Sequence, residues 1–119
     1  MRLSGGCAIG VPCVVRFVET PIFTRRLPEY LDDEGYRALQ IALLLRPEQG
    51  PLIKGGAGLR KVRWAPRGLG KRGGLRVIYF WRPVDQAFYM LFAYAKTEQA
   101  DLTPDQLRVL ARVVREELK

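Results

Sequence analysis

Hydrophobic positions follow two different periods along this chain, so the pattern predicts both strands and helices. Val14 to Val18 is a short β-branched run and predicts a first strand. Residues 59–64 alternate, while residues 75–81 and 87–95 are nearly continuous apolar runs, and these three segments predict three further strands. The element order is a strand, two helices, three antiparallel strands and a helix, which predicts a small α+β fold with helices packed on one sheet.

The predicted helices are marked by their ends as well as by their apolar faces. Thr20–Pro21 predicts the start of a short helix that reaches about Tyr30. The acidic residues 32–34 and the helical spacing that follows predict a second helix, which ends at Arg46–Pro47. The last helix has the strongest signal, because Thr103 to Gln106 forms a capping box with proline at the first helical position.

Alternation in the segment 59–64 assigns its side chains to two faces of a strand. The two sets are Leu59, Lys61 and Arg63 on one face, and Arg60, Val62 and Trp64 on the other. Val62 and Trp64 suit a core face. Lys61 and Arg63 would then stand side by side on the opposite face.

One stretch of the chain carries its net charge. The 119 residues have a formal net charge of +8. Between residues 54 and 76 there is no acid, and the basic residues are Lys54, Arg60, Lys61, Arg63, Arg67, Lys71, Arg72 and Arg76. Glycines in the same stretch allow a ligand to approach the backbone closely. The stretch predicts a polyanionic partner, most simply a nucleic acid, and the alternative is a solvated basic loop.

Composition narrows the remaining classes of function. The chain has no apolar run of about 18 residues, so we expect no membrane segment. Residues 1–13 lack a signal-peptide core and predict a flexible leader before a single domain, 14–119, in the cytoplasm. Histidine is absent and the only cysteines are Cys7 and Cys13, so we expect no cofactor and no metal site, although a disulfide or a two-ligand site between these thiols stays open.

Two long segments closely resemble HigB-type toxins of the RelE/ParE superfamily, the toxin halves of bacterial type II toxin–antitoxin modules. They are GGAGLRKVRWAPRGLGKRGGLRVIYFW and YMLFAYAKTEQADLTPDQ. The segment FVETPIFTRRLPEYLDDEGYRALQIALLLRPEQG is similar to the N-terminal strand and helical hairpin of the same proteins. The resemblance covers about Val15 to Arg115. It implies a RelE-like fold, with a small antiparallel sheet packed by an N-terminal helical hairpin and a C-terminal helix.

The resemblance implies a ribosome-dependent endoribonuclease, which cuts mRNA in the ribosomal A site and inhibits translation. In such toxins the 2′-hydroxyl of the substrate attacks the adjacent phosphate without a metal. The implied partners are mRNA on the ribosome, ribosomal RNA and a cognate helix-turn-helix antitoxin of the HigA type. The alternatives are a ParE-like toxin that inhibits gyrase, against which the basic strand argues, and an RNA-binding module that does not cut.

The same resemblance implies site residues. Lys61 and Arg63 match paired basic positions, Lys61 as a general base if its cationic neighbours keep the amine neutral, or as a plain phosphate contact. Arg76 matches a strand-leading arginine that stabilises the transition state, with a salt bridge to the helical hairpin as the alternative. Tyr94 either stacks on a base or belongs to the core.

Lys96 is expected to act as general acid or to hold the scissile phosphate. The RelE branch has an arginine one residue further on, where this chain has Thr97, so the general acid stays open. Contacts to RNA or the ribosome are expected from Lys54, Arg60, Arg67, Lys71 and Arg72. Trp64, Trp81 and Phe92 are interpreted as core residues.

Overall fold

A five-stranded sheet with helices on both faces is the framework of the structure, a computed structural model that describes residues 2–4, 15–65 and 74–118. The strands in chain order are β1 (Arg2–Ser4), β2 (Arg16–Glu19), β3 (Arg60–Trp64), β4 (Leu75–Arg82) and β5 (Ala87–Ala95). Across the sheet the order is β1, β2, β5, β4, β3, so the longest strand, β5, lies at the centre.

The helices are α1 (Pro21–Arg26), with a 3₁₀ turn at Leu27–Glu29 after it, α2 (Asp33–Leu45) and α3 (Pro104–Val113), which continues as a π-helical turn, Val114–Leu118. Each helix begins after a side chain that accepts a backbone N–H of the first turn, namely Thr20, Asp32 or Thr103. Helix α1 is shorter than predicted because Pro28 has no N–H for a helical hydrogen bond. None of the described helices has the length and apolar character that crossing a bilayer requires.

Different helices cover the two faces of the sheet. The core under α1 and α2 includes Phe23, Leu39, Val62, Val77 and Phe88. The core under α3 includes Leu59, Ile78, Phe80, Leu91, Leu110 and Val114. Because β4 and β5 are buried on both sides, their sequences are continuous apolar runs without the alternation of β3. These observations confirm the predicted α+β class.

Two features of the sheet differ from the prediction. Arg2–Ser4 lies in the expected flexible leader, 1–13, but forms β1, antiparallel to β2; the unpaired backbone at the edge of β2 supplies its partners. The rest of that leader lies outside the described residues. The sheet was also predicted to be antiparallel, whereas β2 and β5 pair in parallel, because the chain crosses from β2 through α1 and α2 to the far edge before it returns.

Side chains complete the pairing of β5 where β2 ends. Glu19, the last residue of β2, lies opposite Met90. Beyond that point the Thr20 hydroxyl donates to the carbonyl of Leu91 at 2.8 Å, and Arg26 Nε donates to the carbonyl of Ala93 at 2.9 Å. Helix α1 therefore takes the place of a longer β2 along the second half of β5.

Candidate functional site

The sheet face that packs against α3 has an apolar end and a basic end. At the apolar end, side chains of β3, β4 and β5 lie buried under the helix. Toward the other end, Arg63 of β3 lies directly opposite Arg76 of β4, and Arg76 lies opposite Tyr94 of β5. Lys61 is two positions before Arg63 and shares its face. We use "the basic end" for these four residues.

The register places the cations of the basic end close together. Directly opposite residues of an antiparallel pair have Cα atoms about 4.5–5.5 Å apart, which applies to Arg63 and Arg76. Residues two apart on a strand are separated by about 6.5–7 Å, which applies to Lys61 and Arg63. Because lysine and arginine side chains are longer than these spacings, all three can reach one phosphate group.

The pairing of Arg63 with Arg76 is unfavourable for the fold. Like charges directly opposite each other on neighbouring strands destabilise a sheet. Within the described part of the chain, no ion pair joins either guanidinium to a carboxylate. Arg76 also lies on the face opposite the α1–α2 hairpin, so the alternative salt bridge to that hairpin is not formed. Two arginines in this arrangement are suited to an external anion.

Lys61 and Tyr94 meet at a carboxylate from the connection between β5 and α3. Lys61 Nζ donates to Asp101 Oδ1 at 3.2 Å, and the Tyr94 hydroxyl donates to the same oxygen at 3.3 Å. The backbone N–H of Leu102 is a third donor, at 2.8 Å. A carboxylate therefore adjoins the basic end and is bound to three donors through one oxygen.

Asp101 and Tyr94, which share a hydrogen bond, both have shifted pKa values. Burial raises the pKa of Tyr94 to about 12, and the charge of Asp101 adds to the rise. The hydrogen bond from the Leu102 N–H, together with Lys61, lowers the pKa of Asp101, against a smaller opposing effect of burial. Near neutral pH the site thus holds a tyrosine hydroxyl and an aspartate anion.

The ring of Tyr94 is buried, which favours the core alternative over stacking on a base. Its side chain is 0% exposed. Its ring packs at a tilt against Phe92, with ring centres 6.1 Å apart, in the core under α3. A base cannot reach a ring face in this arrangement, because the apolar residues around it on β5 are covered by the helix. The hydroxyl is the part of Tyr94 that takes part in the site.

Comparison with known families identifies the protein class. The sequence model of the family described as "RelE toxin of RelE / RelB toxin-antitoxin system" matches residues 46–118. This range is well over half of the chain and contains β3, β4, β5 and α3 with all of the basic end. The chain belongs to the RelE toxin family. It is therefore the toxin of a toxin–antitoxin system, and the RelE-like fold expected from the sequence is confirmed.

In this RelE-family toxin, Lys96 follows β5 next to the basic end. Its backbone N–H donates to the carbonyl of Gly74 at 2.9 Å, which holds the exit of β5 against the start of β4. Two residues later, the Glu98 carboxylate accepts the Ala95 N–H at 2.9 Å and the Tyr30 hydroxyl. The turn that carries Lys96 is thus held by the sheet and by Tyr30, which follows the 3₁₀ turn after α1. The Lys96 side chain is exposed.

Of the residues expected to bind RNA outside the basic end, the two that the structure describes, Lys54 and Arg60, are not grouped with it. Lys54 lies in the turn before β3, at the opposite end of that strand from Arg63. Arg60 lies on the other sheet face, where its guanidinium donates to the carbonyls of Glu48 and Gly50 at 3.0 and 2.9 Å. The remaining three, Arg67, Lys71 and Arg72, lie outside the described residues.

Sequence reasoning missed Asp101 as a member of the site. Asp101 lies inside one of the segments that resemble HigB-type toxins, but its partners are 7 and 40 positions away along the chain. The available signal was an acid two residues before the Thr103 cap. Among the described residues, no cluster of histidine, cysteine and carboxylate side chains is arranged to hold a metal ion.

Proposed function

We propose that this RelE-family toxin is a ribosome-dependent mRNA endoribonuclease of the HigB type, which inhibits translation by cutting mRNA in the ribosomal A site. The observation that carries the proposal is the pair of arginines opposite each other on β3 and β4, with Lys61 on the same face. This arrangement costs stability in the free protein and is suited to a bound phosphate.

The proposed reaction uses the nucleophile of the substrate itself. The 2′-oxygen of a ribose forms a bond to the adjacent phosphorus, and the bond from phosphorus to the 5′-oxygen breaks. The 2′-hydroxyl loses its proton to a base and the 5′-oxygen gains one from an acid, which leaves a 2′,3′-cyclic phosphate and a 5′-hydroxyl. Arg63 and Arg76 contact the non-bridging oxygens, where negative charge grows in the transition state.

Two lysines have different proposed roles. We assign Lys61 to a charged contact with the phosphate, because its amine already donates to the carboxylate of Asp101. Lys96 is the proposed donor to the 5′-oxygen, since its side chain is exposed at the exit of β5 beside Arg76 and Tyr94. The Tyr94 hydroxyl stays protonated at neutral pH and donates to Asp101, so its proposed part is to support the carboxylate that Lys61 contacts.

The proposed partners follow from the reaction. They are mRNA on the ribosome and ribosomal RNA in the cytoplasm, together with a HigA-type helix-turn-helix antitoxin. Lys54, which is exposed, and Arg67, Lys71 and Arg72 are proposed to contact RNA outside the reaction centre. Arg60 is less suited to this role, because its guanidinium is held by the loop at Glu48 and Gly50.

The experiment that tests the proposal compares two arginines of the same strand. Arg76 lies in the basic end, whereas Arg82 lies at the other end of β4 and pairs with Asp85. Primer extension on mRNA under active translation would detect new 5′ ends. We expect Arg76→Ala to reduce cutting by about 10²–10³-fold, the usual cost of removing one transition-state donor. Arg82→Ala, which removes the same charge, should cut like the wild type.

Other outcomes identify other functions. Wild-type toxin that binds ribosomes without producing new 5′ ends would indicate an RNA-binding module. A DNA-damage response with intact translation would indicate a gyrase inhibitor. Full cutting by Arg76→Ala would show that the basic end is not the reaction centre.

A further inference from the structure

Asp101 joins three parts of the molecule at the basic end, and the proposed reaction leaves it without a role. Its Oδ1 accepts hydrogen bonds from Lys61 on β3, from Tyr94 on β5 and from the N–H of Leu102 at the start of α3. In the described part of the chain, no other carboxylate is in hydrogen-bond contact with Lys61 or Tyr94.

The backbone around Asp101 is held in place independently of Lys61. Gln99 Nε2 donates to the Asp101 carbonyl and to Gln106 Oε1, both at 2.8 Å. Gln106 in turn forms the capping box with Thr103. Asp101 is thus fixed relative to the first turn of α3, and its carboxylate presents a fixed acceptor to the basic end.

A stabilising role alone does not explain the contact. The carboxylate side chain of Asp101 is 68% exposed, and ion pairs this exposed add little to stability. Lys61, by contrast, has a long side chain with several rotatable bonds, and fixing it costs conformational entropy. The Lys61 side chain is 20% exposed, and the contact sets the position of its amine beside two arginines, which is of use when a ligand must meet all three cations at once.

We propose that Asp101 is a positioning residue of this toxin, which is itself steadied by the buried Tyr94 hydroxyl and holds the Lys61 amine in the geometry that receives the RNA phosphate beside Arg63 and Arg76. The inference rests on the proposed nuclease function. An ammonium group has three donors, so a bond to Asp101 leaves two for the phosphate. Groups held in place before the substrate arrives lower the entropic part of the reaction barrier.

The test is a double-mutant cycle measured on the full chain with ribosome-bound mRNA. We expect Asp101→Ala to lower the cutting rate at saturating message by about 10–10²-fold, with a smaller change in KM, as expected for misplaced groups. Asp101→Asn keeps an oxygen acceptor for Leu102 and Tyr94 and should lose less. In a Lys61→Met, Tyr94→Phe background, Asp101→Ala should have almost no further effect, because its partners are gone.

Thr103→Ala is the matched control. It removes the hydroxyl of the capping box two residues from Asp101 and weakens the start of α3, but it leaves the acceptor of Lys61 and Tyr94 intact. We expect a lower melting temperature and a loss of cutting per folded molecule well below that of Asp101→Ala, because the bond from Gln99 to the Asp101 carbonyl remains. Should Thr103→Ala reduce cutting as much as Asp101→Ala, the role of Asp101 would be to hold the helix, and the proposal would be overturned.

The remaining outcomes separate this inference from the function on which it rests. Wild-type toxin that cuts no mRNA overturns the proposed function, and the role of Asp101 with it. Wild-type toxin that cuts, together with an Asp101→Ala variant that cuts equally well or faster, overturns the positioning role alone. If Asp101→Ala does not fold, the same comparison is made with Asp101→Leu, which has no acceptor and whose wild-type rate and KM would likewise overturn it.

Discussion

The apolar end and the basic end occupy the same face of the same strands, yet one consists of side chains that favour folding and the other of like charges that oppose it. At the apolar end, each strand presents aliphatic or aromatic side chains that α3 buries. At the basic end, the strands continue with the same geometry, but Arg63 and Arg76 face each other without a carboxylate partner in the described residues. The strands thus provide stability at one end and a surface for an anion at the other.

The difference teaches where to look for function in a small protein. A domain of this size has one small core, so most of its residues are needed either to form that core or to keep the exterior soluble. Positions that break a local rule, such as like charges across a strand pair, are candidates for function because the fold gains nothing from them. Substitutions at the two ends should therefore separate stability from activity.

The largest effect is expected from Leu91→Ala at the apolar end. Leu91 is 0% exposed and lies under α3, so its truncation leaves a cavity and should lower the free energy of unfolding by about 2–5 kcal/mol. Urea denaturation measures the loss. Cutting per folded molecule should not change, and a specific loss of activity would mean that the two ends are coupled.

The next largest effect is a loss of stability at alkaline pH caused by Tyr94, whose ring lies in the core under α3 and whose hydroxyl donates to Asp101. Its pKa is raised from 10.0 to about 12, so between these values the unfolded chain releases a proton that the folded chain keeps. The stability from the neutral hydroxyl is therefore complete below pH 10 and is lost as the pH rises toward 12. Tyr94→Phe should lose less stability over this range, as measured by urea denaturation at several pH values.

A second tyrosine provides the control for the alkaline experiment. Tyr30, which donates to Glu98, also has its pKa raised to about 12, first by burial and then by that hydrogen bond. Tyr30→Phe should therefore reduce the same alkaline loss without affecting the basic end. A pH profile of Tyr94→Phe that parallels the wild type would contradict the assignment of the shift to Tyr94.

The smallest effect is expected from Arg63→Gln at the basic end. Removing one of two opposed charges should raise the free energy of unfolding by about 0.2–1 kcal/mol while it lowers cutting. The gain should shrink in 1 M salt, where the Debye length is about 3 Å. Arg112→Gln, on the exposed side of α3, is the matched control and should leave stability nearly unchanged. A destabilised Arg63→Gln variant would show that Arg63 supports the fold.

Features governed by local chemistry could be predicted from the sequence. The start of α3 is one, because Thr103 and Gln106 satisfy each other's backbone N–H groups within four residues. The two faces of β3 are another: strict alternation separated Val62, in the core under α1 and α2, from Lys61 and Arg63 on the side of α3. This alternation places Lys61 and Arg63 on one face, and the register between β3 and β4 places Arg76 beside them.

Features that depend on distant partners could not be predicted. The segment Arg2–Ser4 is too short to show a period, and it is a strand only because β2 offers an unpaired edge. Nothing local indicates that β2 pairs in parallel with β5. Asp101 meets Lys61 across 40 positions of sequence, so its role in the basic end follows from the closure of the sheet against α3.

The way in which α1 completes β5 also bears on how the toxin behaves at high concentration. A bare strand edge invites pairing with a second copy and is a common origin of aggregation. Along the second half of β5 the carbonyls of Leu91 and Ala93 are already bound by Thr20 and Arg26. Another chain would have to displace both side chains and the helix to add a strand there, so α1 protects this part of the central strand from pairing with a second copy.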